Sequence, residues 1–202
     1  MKVSGLIFLS VMTIASTGCS LKIVEVGAPA INCKFDTDCT ITVNDFVDTF
    51  SMPASSGQGR LQSRMFPVGE PGTVGQGLFP YQYRIDLTSV AGLTALPCVH
   101  ELRIQSGPLE ALDYDDDGKK EHVYVVTSGG LGTVRPTKAK RNRGAIVFEF
   151  SPAVCAGSSP GGGQTSYFFG VASKNPPRSV TARLRNTLTG DITEVEARSA
   201  AD

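Results

Sequence analysis

The chain has 202 residues, with 19 basic and 19 acidic side chains, 22 glycines, 12 prolines and 5 cysteines. This length predicts one compact domain or two small ones, and a composition of 41% hydrophobic and 19% charged residues excludes a disordered chain. A formal net charge of zero provides no field that would attract a phosphate backbone, so we expect no nucleic-acid partner. The many glycines and prolines favour short elements separated by turns.

The first residues have the layout of an export signal. Lys2 precedes an apolar run over residues 3–15, which is too short to span a bilayer, and small residues follow up to Cys19. This arrangement predicts a secretory signal peptide over residues 1–18. The alternative interpretation is a buried first strand or helix of the fold.

The segment Ser16-Thr17-Gly18-Cys19 resembles the lipobox of bacterial lipoproteins. The resemblance covers residues 1–20 alone and departs from the family pattern at Ser16, where an aliphatic residue is usual. It implies acylation of Cys19, attachment to the membrane through that lipid and, because Ser20 is not Asp, an outer-membrane lipoprotein. Ordinary cleavage near Gly18, which would give a secreted or periplasmic protein, remains the alternative.

The cysteine count is consistent with this interpretation. Five cysteines leave one unpaired, and acylation of Cys19 would account for it. The remaining four allow three pairings, of which we favour Cys33 with Cys39 and Cys98 with Cys155. A zinc site at the first pair is disfavoured, because no Cys-x2-Cys motif or paired histidine accompanies it.

Alternation of apolar and polar residues predicts strands through most of the chain. Half-buried strands are predicted at residues 81–87, 100–104, 146–150 and 180–185, and less regular ones at 40–43, 60–66 and 192–198. Two runs that are apolar throughout, 122–127 and 167–172, predict central strands covered on both faces. One short helix is predicted near residues 88–93.

Some eight or nine short strands separated by turn residues predict an all-β fold, a single antiparallel β-sandwich or barrel-like domain. We assign this domain to residues 31–202, and residues 19–30 to a tether between the lipid and the domain. A basic run at residues 135–143 lies between strands and predicts a hairpin loop or a poorly ordered connection. Its charges suit contact with acidic lipid head groups or polyanionic glycans, and a solvated loop is the alternative.

The sharpest motif is the sequence DYDDDGKKE at residues 113–121. It offers oxygen ligands at alternate positions, followed by an apolar strand, and a hard cation such as Ca2+ requires six to eight such ligands. The predicted ligands are the side chains of Asp113, Asp115, Asp117 and Glu121 and the backbone carbonyl of Lys119. The pattern differs from that of an EF-hand at position twelve, where Tyr124 replaces the bidentate glutamate.

This motif instead resembles the short calcium loops of FG-GAP repeats, with Glu121 in place of the last aspartate. The resemblance covers nine residues, implies Ca2+ as a ligand and does not imply a propeller. The alternative is a solvated acidic turn that Lys119 and Lys120 partly neutralise, with Gly118 at a positive φ.

No segment assembles a catalytic set; a G-x-S-x-G match at residues 157–161 lacks the following helix that a nucleophile elbow needs. We therefore expect a non-enzymatic envelope lipoprotein that binds or scaffolds an envelope protein or glycan. A calcium-dependent adhesin or assembly module is the second hypothesis. An envelope carbohydrate-active hydrolase with paired carboxylates is the third.

Overall fold

Alternating side chains build fourteen strands in the part of the chain that the structure describes, residues 18–202 of a computed structural model. Residues 1–17, nearly all of the predicted signal peptide, lie outside it. The strands are β1 (Cys19–Leu21), β2 (Ile23–Gly27), β3 (Asn44–Phe50), β4 (Ser55–Ser56), β5 (Gly59–Met65), β6 (Phe79–Asp86), β7 (Ala91–Gly92), β8 (Cys98–Gln105), β9 (Val123–Ser128), β10 (Pro136–Asn142), β11 (Ala145–Cys155), β12 (Phe168–Ser173), β13 (Pro177–Asn186) and β14 (Ile192–Ala200). The one helix of residues 18–202, α1 (Ala28–Cys33), has six residues. No helix in this part is long and apolar enough to cross a bilayer.

Two six-stranded sheets form a sandwich, which confirms the predicted all-β class. The first sheet has the order β1-β10-β11-β8-β13-β14, and the second has the order β2-β9-β12-β6-β5-β3. Every pair in them is antiparallel except β2 with β9, which is parallel. Strands β4 and β7 form a separate small pair.

Aromatic side chains fill the space between the sheets. Phe148 of the first sheet lies 4.7 Å, between ring centroids, from Phe169 of the second, and Tyr83 lies 6.1 Å from Phe169. All three side chains are fully buried, and each tilted ring pair adds about 0.5–1.5 kcal/mol to the stabilisation from burial. This cluster therefore holds the two sheets face to face.

The outer face of the second sheet is covered as well. A smaller apolar cluster places Phe35, Leu112 and Tyr114 from non-strand segments against Tyr124 and Phe168 on β9 and β12. All six residues of β12 are buried, and so are the first four of β9. The prediction of two central strands covered on both faces is thus confirmed.

The segment predicted as a tether, residues 19–30, is part of the sandwich, and that prediction was wrong. Leu21 of β1 pairs with Ala139 of β10, and β2 pairs with β9 immediately afterwards. Leu21 and Val26 are buried, so the alternation of LKIVEV drives this segment into both sheets. On the opposite side the backbone N–H of Glu196 in β14 donates to the Asp48 carboxylate of β3 at 2.7 Å.

The basic run at residues 135–143 is not a loop, because it contains strand β10. Only Pro136 and Ala139 are buried in this strand, so it lacks an apolar face that sequence analysis would detect. Pairing with β1 on one side and β11 on the other stabilises it, and Lys140 binds the Glu149 carboxylate at 2.5 Å. The strand is therefore stabilised by pairing with its neighbours and not by an alternating pattern of apolar residues.

The helix predicted near residues 88–93 is also wrong. The Asp86 carboxylate accepts hydrogen bonds from the backbone N–H and the hydroxyl of Thr88, at 2.9 and 2.6 Å, and this local bonding makes a turn. The helix that does form is α1, with a proline in its first turn, where a missing N–H costs nothing.

Both expected disulfides are present. Cys98 and Cys155 are register partners on β8 and β11, so this bond crosslinks neighbouring strands of the first sheet. Cys33 and Cys39 lie six residues apart and close the turn that follows α1. The two bonds therefore constrain loops of very different length.

We predict that removing the Cys98–Cys155 disulfide, which closes the longer loop, lowers the free energy of unfolding more than removing Cys33–Cys39 does. A double Cys98→Ala, Cys155→Ala variant should lose about 4 kcal/mol of unfolding free energy, against about 2 kcal/mol for Cys33→Ala with Cys39→Ala, because loop-closure entropy grows with loop length. Urea unfolding of both variants against the oxidised parent measures this. The reverse order would contradict the argument.

Candidate metal centre

The acidic loop of residues 113–121 is closed at its base by a backbone bridge. Leu112 and Glu121 each donate a backbone N–H to the other's carbonyl, at 2.9 and 2.8 Å. Strand β9 begins two residues after Glu121, and its first residues are fully buried. The loop therefore starts and ends on a rigid support rather than on mobile chain.

Tyr114 anchors the loop to the outer cluster of the second sheet. Its side chain is fully buried, and its ring centroid lies 4.8 Å from that of Tyr124 on β9. The residues on either side, Asp113 and Asp115, each place a carboxylate oxygen in the acidic group outside this cluster.

Carboxylate-to-backbone hydrogen bonds shape the turn. Asp113 accepts the N–H of Gly118 at 2.9 Å, and Asp117 accepts the N–H of Lys119 at 2.8 Å. Gly118 has φ +83°, in the left-handed region that glycine adopts without steric penalty. Asp116 also adopts a left-handed conformation, with φ +63°. These turns fold the loop back so that its first and last acidic residues meet.

Four of the five predicted ligands come together. One carboxylate oxygen from each of Asp113, Asp115, Asp117 and Glu121 lies within 4.8 Å of the others. Oxygens bound to Ca2+ at about 2.3–2.6 Å lie at most about 5 Å apart, so these four fit a single ion. Lys119 adjoins the group through its ammonium, which binds Asp117 at 2.6 Å, and the role of its carbonyl stays a prediction.

Glu121 provides an independent sign that the group is built for a cation. Glu121 has a relative exposure of only 7%, and within residues 18–202 its Oε2 has no hydrogen-bond partner. Asp113 Oδ1 is likewise buried without a partner in this part of the chain. An unpaired buried carboxylate is costly, and a cation at the centre of the group would satisfy both oxygens.

The electrostatics of Glu121 agree with this geometry. Its burial, together with the charges of Asp117 and Asp115, raises the pKa of Glu121 above its ordinary value, against the opposing effect of Lys22. Burial disfavours the charged form of Glu121, and the effects of Asp117 and Asp115 reflect negative charge concentrated around it. A divalent cation is the group that would reverse them.

Lys34, a residue that sequence analysis missed, supports the loop from the side. It is buried just after α1, and its Nζ binds the Asp116 carboxylate at 2.5 Å. The backbone carbonyl of Lys34 accepts the N–H of Gly75 at 2.7 Å, and the Cys33–Cys39 bond encloses the residue. Because 82 residues separate Lys34 from Asp116, no local pattern signals the contact.

Cys19, the predicted lipid attachment site, is the first residue of β1 and is exposed. Within residues 18–202 it is the one cysteine outside the two disulfides. Its acylation stays a prediction. Comparison with known proteins adds no relative, because no family model, curated protein or solved structure matches this chain.

We predict that the Tyr114 ring, and not its hydroxyl, holds the loop. The hydroxyl is buried without a hydrogen-bond partner among the described residues, so Tyr114→Phe should leave unfolding free energy unchanged or raise it by up to about 1 kcal/mol. Tyr114→Ala removes the ring from a packed cluster and should lower it by about 3 kcal/mol or more. Urea unfolding compares the two, and equal losses would contradict the assignment.

Proposed function

We propose that this protein is a non-enzymatic, calcium-binding module of the bacterial envelope, attached to the membrane by a lipid on Cys19. The observation that carries the proposal is the convergence of four carboxylates within 4.8 Å around a buried, unpartnered Glu121 oxygen. Such a module acts by binding or scaffolding an envelope component, for which the sequence suggested a protein or glycan. Calcium orders the loop through which it does so.

The ligand chemistry favours Ca2+ over other common cations. All four side chains offer carboxylate oxygen, whereas zinc sites are built from cysteine and histidine. Mg2+ binds oxygen at about 2.0–2.1 Å in a strict octahedron and usually keeps several waters, which suits one or two protein carboxylates rather than four. Ca2+ accepts more ligands in a looser geometry, as a loop of mixed Asp and Glu provides.

The same convergence argues against the acidic loop as the active site of a hydrolase. A glycosidase needs two carboxyl groups on opposite sides of a bond, about 5–9.5 Å apart, with one kept protonated and the other charged. Four carboxylates gathered around one point leave no gap for a sugar ring between them. Chelation is the chemistry that this arrangement supports.

Export and anchorage are supported by the sequence and by the chemistry of the cysteines. Two disulfides require an oxidising compartment, which agrees with a signal peptide over residues 1–18. Among residues 18–202 Cys19 is the one cysteine outside both bonds, and it is exposed at the start of the sandwich, as a residue that carries a lipid must be. The Ser20 that follows it favours the outer membrane as the destination.

Calcium should stabilise the folded protein. At about a hundred times its Kd, a ligand specific to the folded state adds about 2.7 kcal/mol, or about 5–10 °C in melting temperature for a chain of this size. Scanning calorimetry in calcium against EDTA measures the shift, and isothermal titration calorimetry measures the affinity. Absence of both heat and shift would remove the proposal.

The Glu121→Gln variant sharpens this test, because its effect should change sign with the metal. Without calcium the substitution removes a buried, repelled charge and should raise the melting temperature; with calcium it removes a ligand and should lower it. Asp191→Asn is the matched control, since Asp191 is exposed in the β13–β14 hairpin and makes no ion pair within residues 18–202. The control should behave like the parent in both conditions.

The anchor is tested separately. Metabolic labelling with a palmitate analogue should mark the parent protein and leave a Cys19→Ala variant unmarked, with the variant released from the membrane fraction. Label that persists undiminished on Cys19→Ala would exclude this residue as the acylation site. The calcium measurements do not depend on this outcome.

A further inference from the structure

The acidic loop is hydrogen-bonded to the chain that leads from Cys19. Lys22 connects β1 to β2, and its backbone carbonyl accepts the N–H groups of His122 and Val123 at 3.2 and 3.0 Å. His122 directly follows Glu121, so one end of the calcium loop is fixed against a residue three positions from the predicted lipid. The charge of Lys22 also reaches the loop, where it lowers the pKa of Asp117 after the larger effect of Lys119.

This connection limits the distance between the site and the membrane. Three residues of extended strand span about 10 Å, so Lys22 lies no farther than that from Cys19. The polar region of each leaflet is itself about 5–8 Å thick. A lipid on Cys19 would therefore hold the loop at, or just above, the head groups.

The open side of the site suits an anionic ligand from outside the protein. Asp115 and Asp117 are exposed, so part of a cation bound among the four carboxylates would face solvent. Ca2+ takes about six to eight oxygen ligands, so four side-chain oxygens and the Lys119 carbonyl would leave at least one position for another ligand. Phosphate oxygens are hard, charged ligands of the kind that Ca2+ prefers.

Local charge makes this contact conditional on calcium. The four clustered carboxylates outnumber the neighbouring exposed lysines, Lys22, Lys119 and Lys120, by one, while Asp116 is neutralised by Lys34. A divalent cation turns that negative excess into a positive one. An anionic membrane would therefore repel the free loop and attract the loaded one.

We infer that the calcium-loaded loop binds the phosphate groups of anionic lipids in the membrane to which the protein is attached. This inference rests on the proposed function, because it requires calcium in the loop. By thermodynamic linkage, lipid phosphate should raise the affinity for calcium by the same factor by which calcium raises the affinity for lipid.

The test uses the mature chain, residues 19–202, with Cys19→Ser so that no lipid contributes to binding. Sedimentation with vesicles of phosphatidylcholine, with or without phosphatidylglycerol, is measured in millimolar CaCl2, in MgCl2 and in EDTA. We expect vesicle affinity to rise about tenfold or more only when calcium and phosphatidylglycerol are both present. Asp117→Asn should abolish the rise, and Asp191→Asn should retain it.

Three results would overturn the inference, and calorimetry in the absence of vesicles separates it from the proposed function. If the chain binds calcium in solution but not the anionic vesicles, the lipid inference fails and the calcium site stands. If Asp117→Asn binds the vesicles as well as the parent does, lysines alone are responsible and the inference fails. If no calcium binds in solution, both fail together.

Discussion

The second sheet is buried on both faces, and most other features of the molecule follow from this constraint. Its inner face packs on the first sheet through Phe169, as in any sandwich, but Tyr124 and Phe168 point outward and also need cover. The chain supplies much of that cover with segments that are not strands and that carry Phe35, Leu112 and Tyr114. These segments are held by a short disulfide, by buried Lys34, by the Tyr114 ring and by backbone hydrogen bonds such as the bridge at Leu112.

The acidic loop is the last part of that cover, which explains why its charges are concentrated. Tyr114 enters the apolar cluster, the aspartates beside it each place a carboxylate oxygen outside that cluster, and the backbone bridge at Leu112 brings Glu121 back against them. Glu121 is buried beside these aspartates, and among residues 18–202 its Oε2 has no hydrogen-bond partner. The hydrophobic layer and the proposed cation site are therefore two results of the same packing.

Those features of the fold that depend on local pattern could be predicted from the sequence. Strict alternation at residues 81–87 and the fully apolar run at 167–172 correspond to strands, and eight of the fourteen strands overlap predicted positions. The strand predicted at residues 40–43 was wrong, because β3 begins only at Asn44. Among the missed strands, β1, β4 and β7 have two or three residues, and β10 carries almost no apolar residues and depends on its partners. Strand β2 was missed because the predicted lipid on Cys19 suggested that residues 19–30 are a tether.

The candidate site likewise has features that the local sequence predicts and features that depend on tertiary contacts. Alternating acidic residues around Gly118 are a local signal, so the carboxylate ligands could be identified from the sequence. The burial of Glu121 and the support from Lys34 could not, because both depend on segments brought together from distant parts of the chain. The sequence identifies the carboxylates that could bind a cation. Tertiary packing leaves two of their oxygens, Glu121 Oε2 and Asp113 Oδ1, buried without a hydrogen-bond partner among residues 18–202.

Strand β1 enters the first sheet at Cys19, which limits how far the domain could extend from a lipid on this residue. A lipoprotein with a long unstructured stalk can search a wide volume above the bilayer, but here Cys19, the proposed site of acylation, is itself the first residue of the sandwich. A domain of this size has a radius of gyration of about 16 Å. With the proposed lipid on Cys19, the domain would extend only its own height above the bilayer, and any macromolecule that it bound would have to approach the membrane surface.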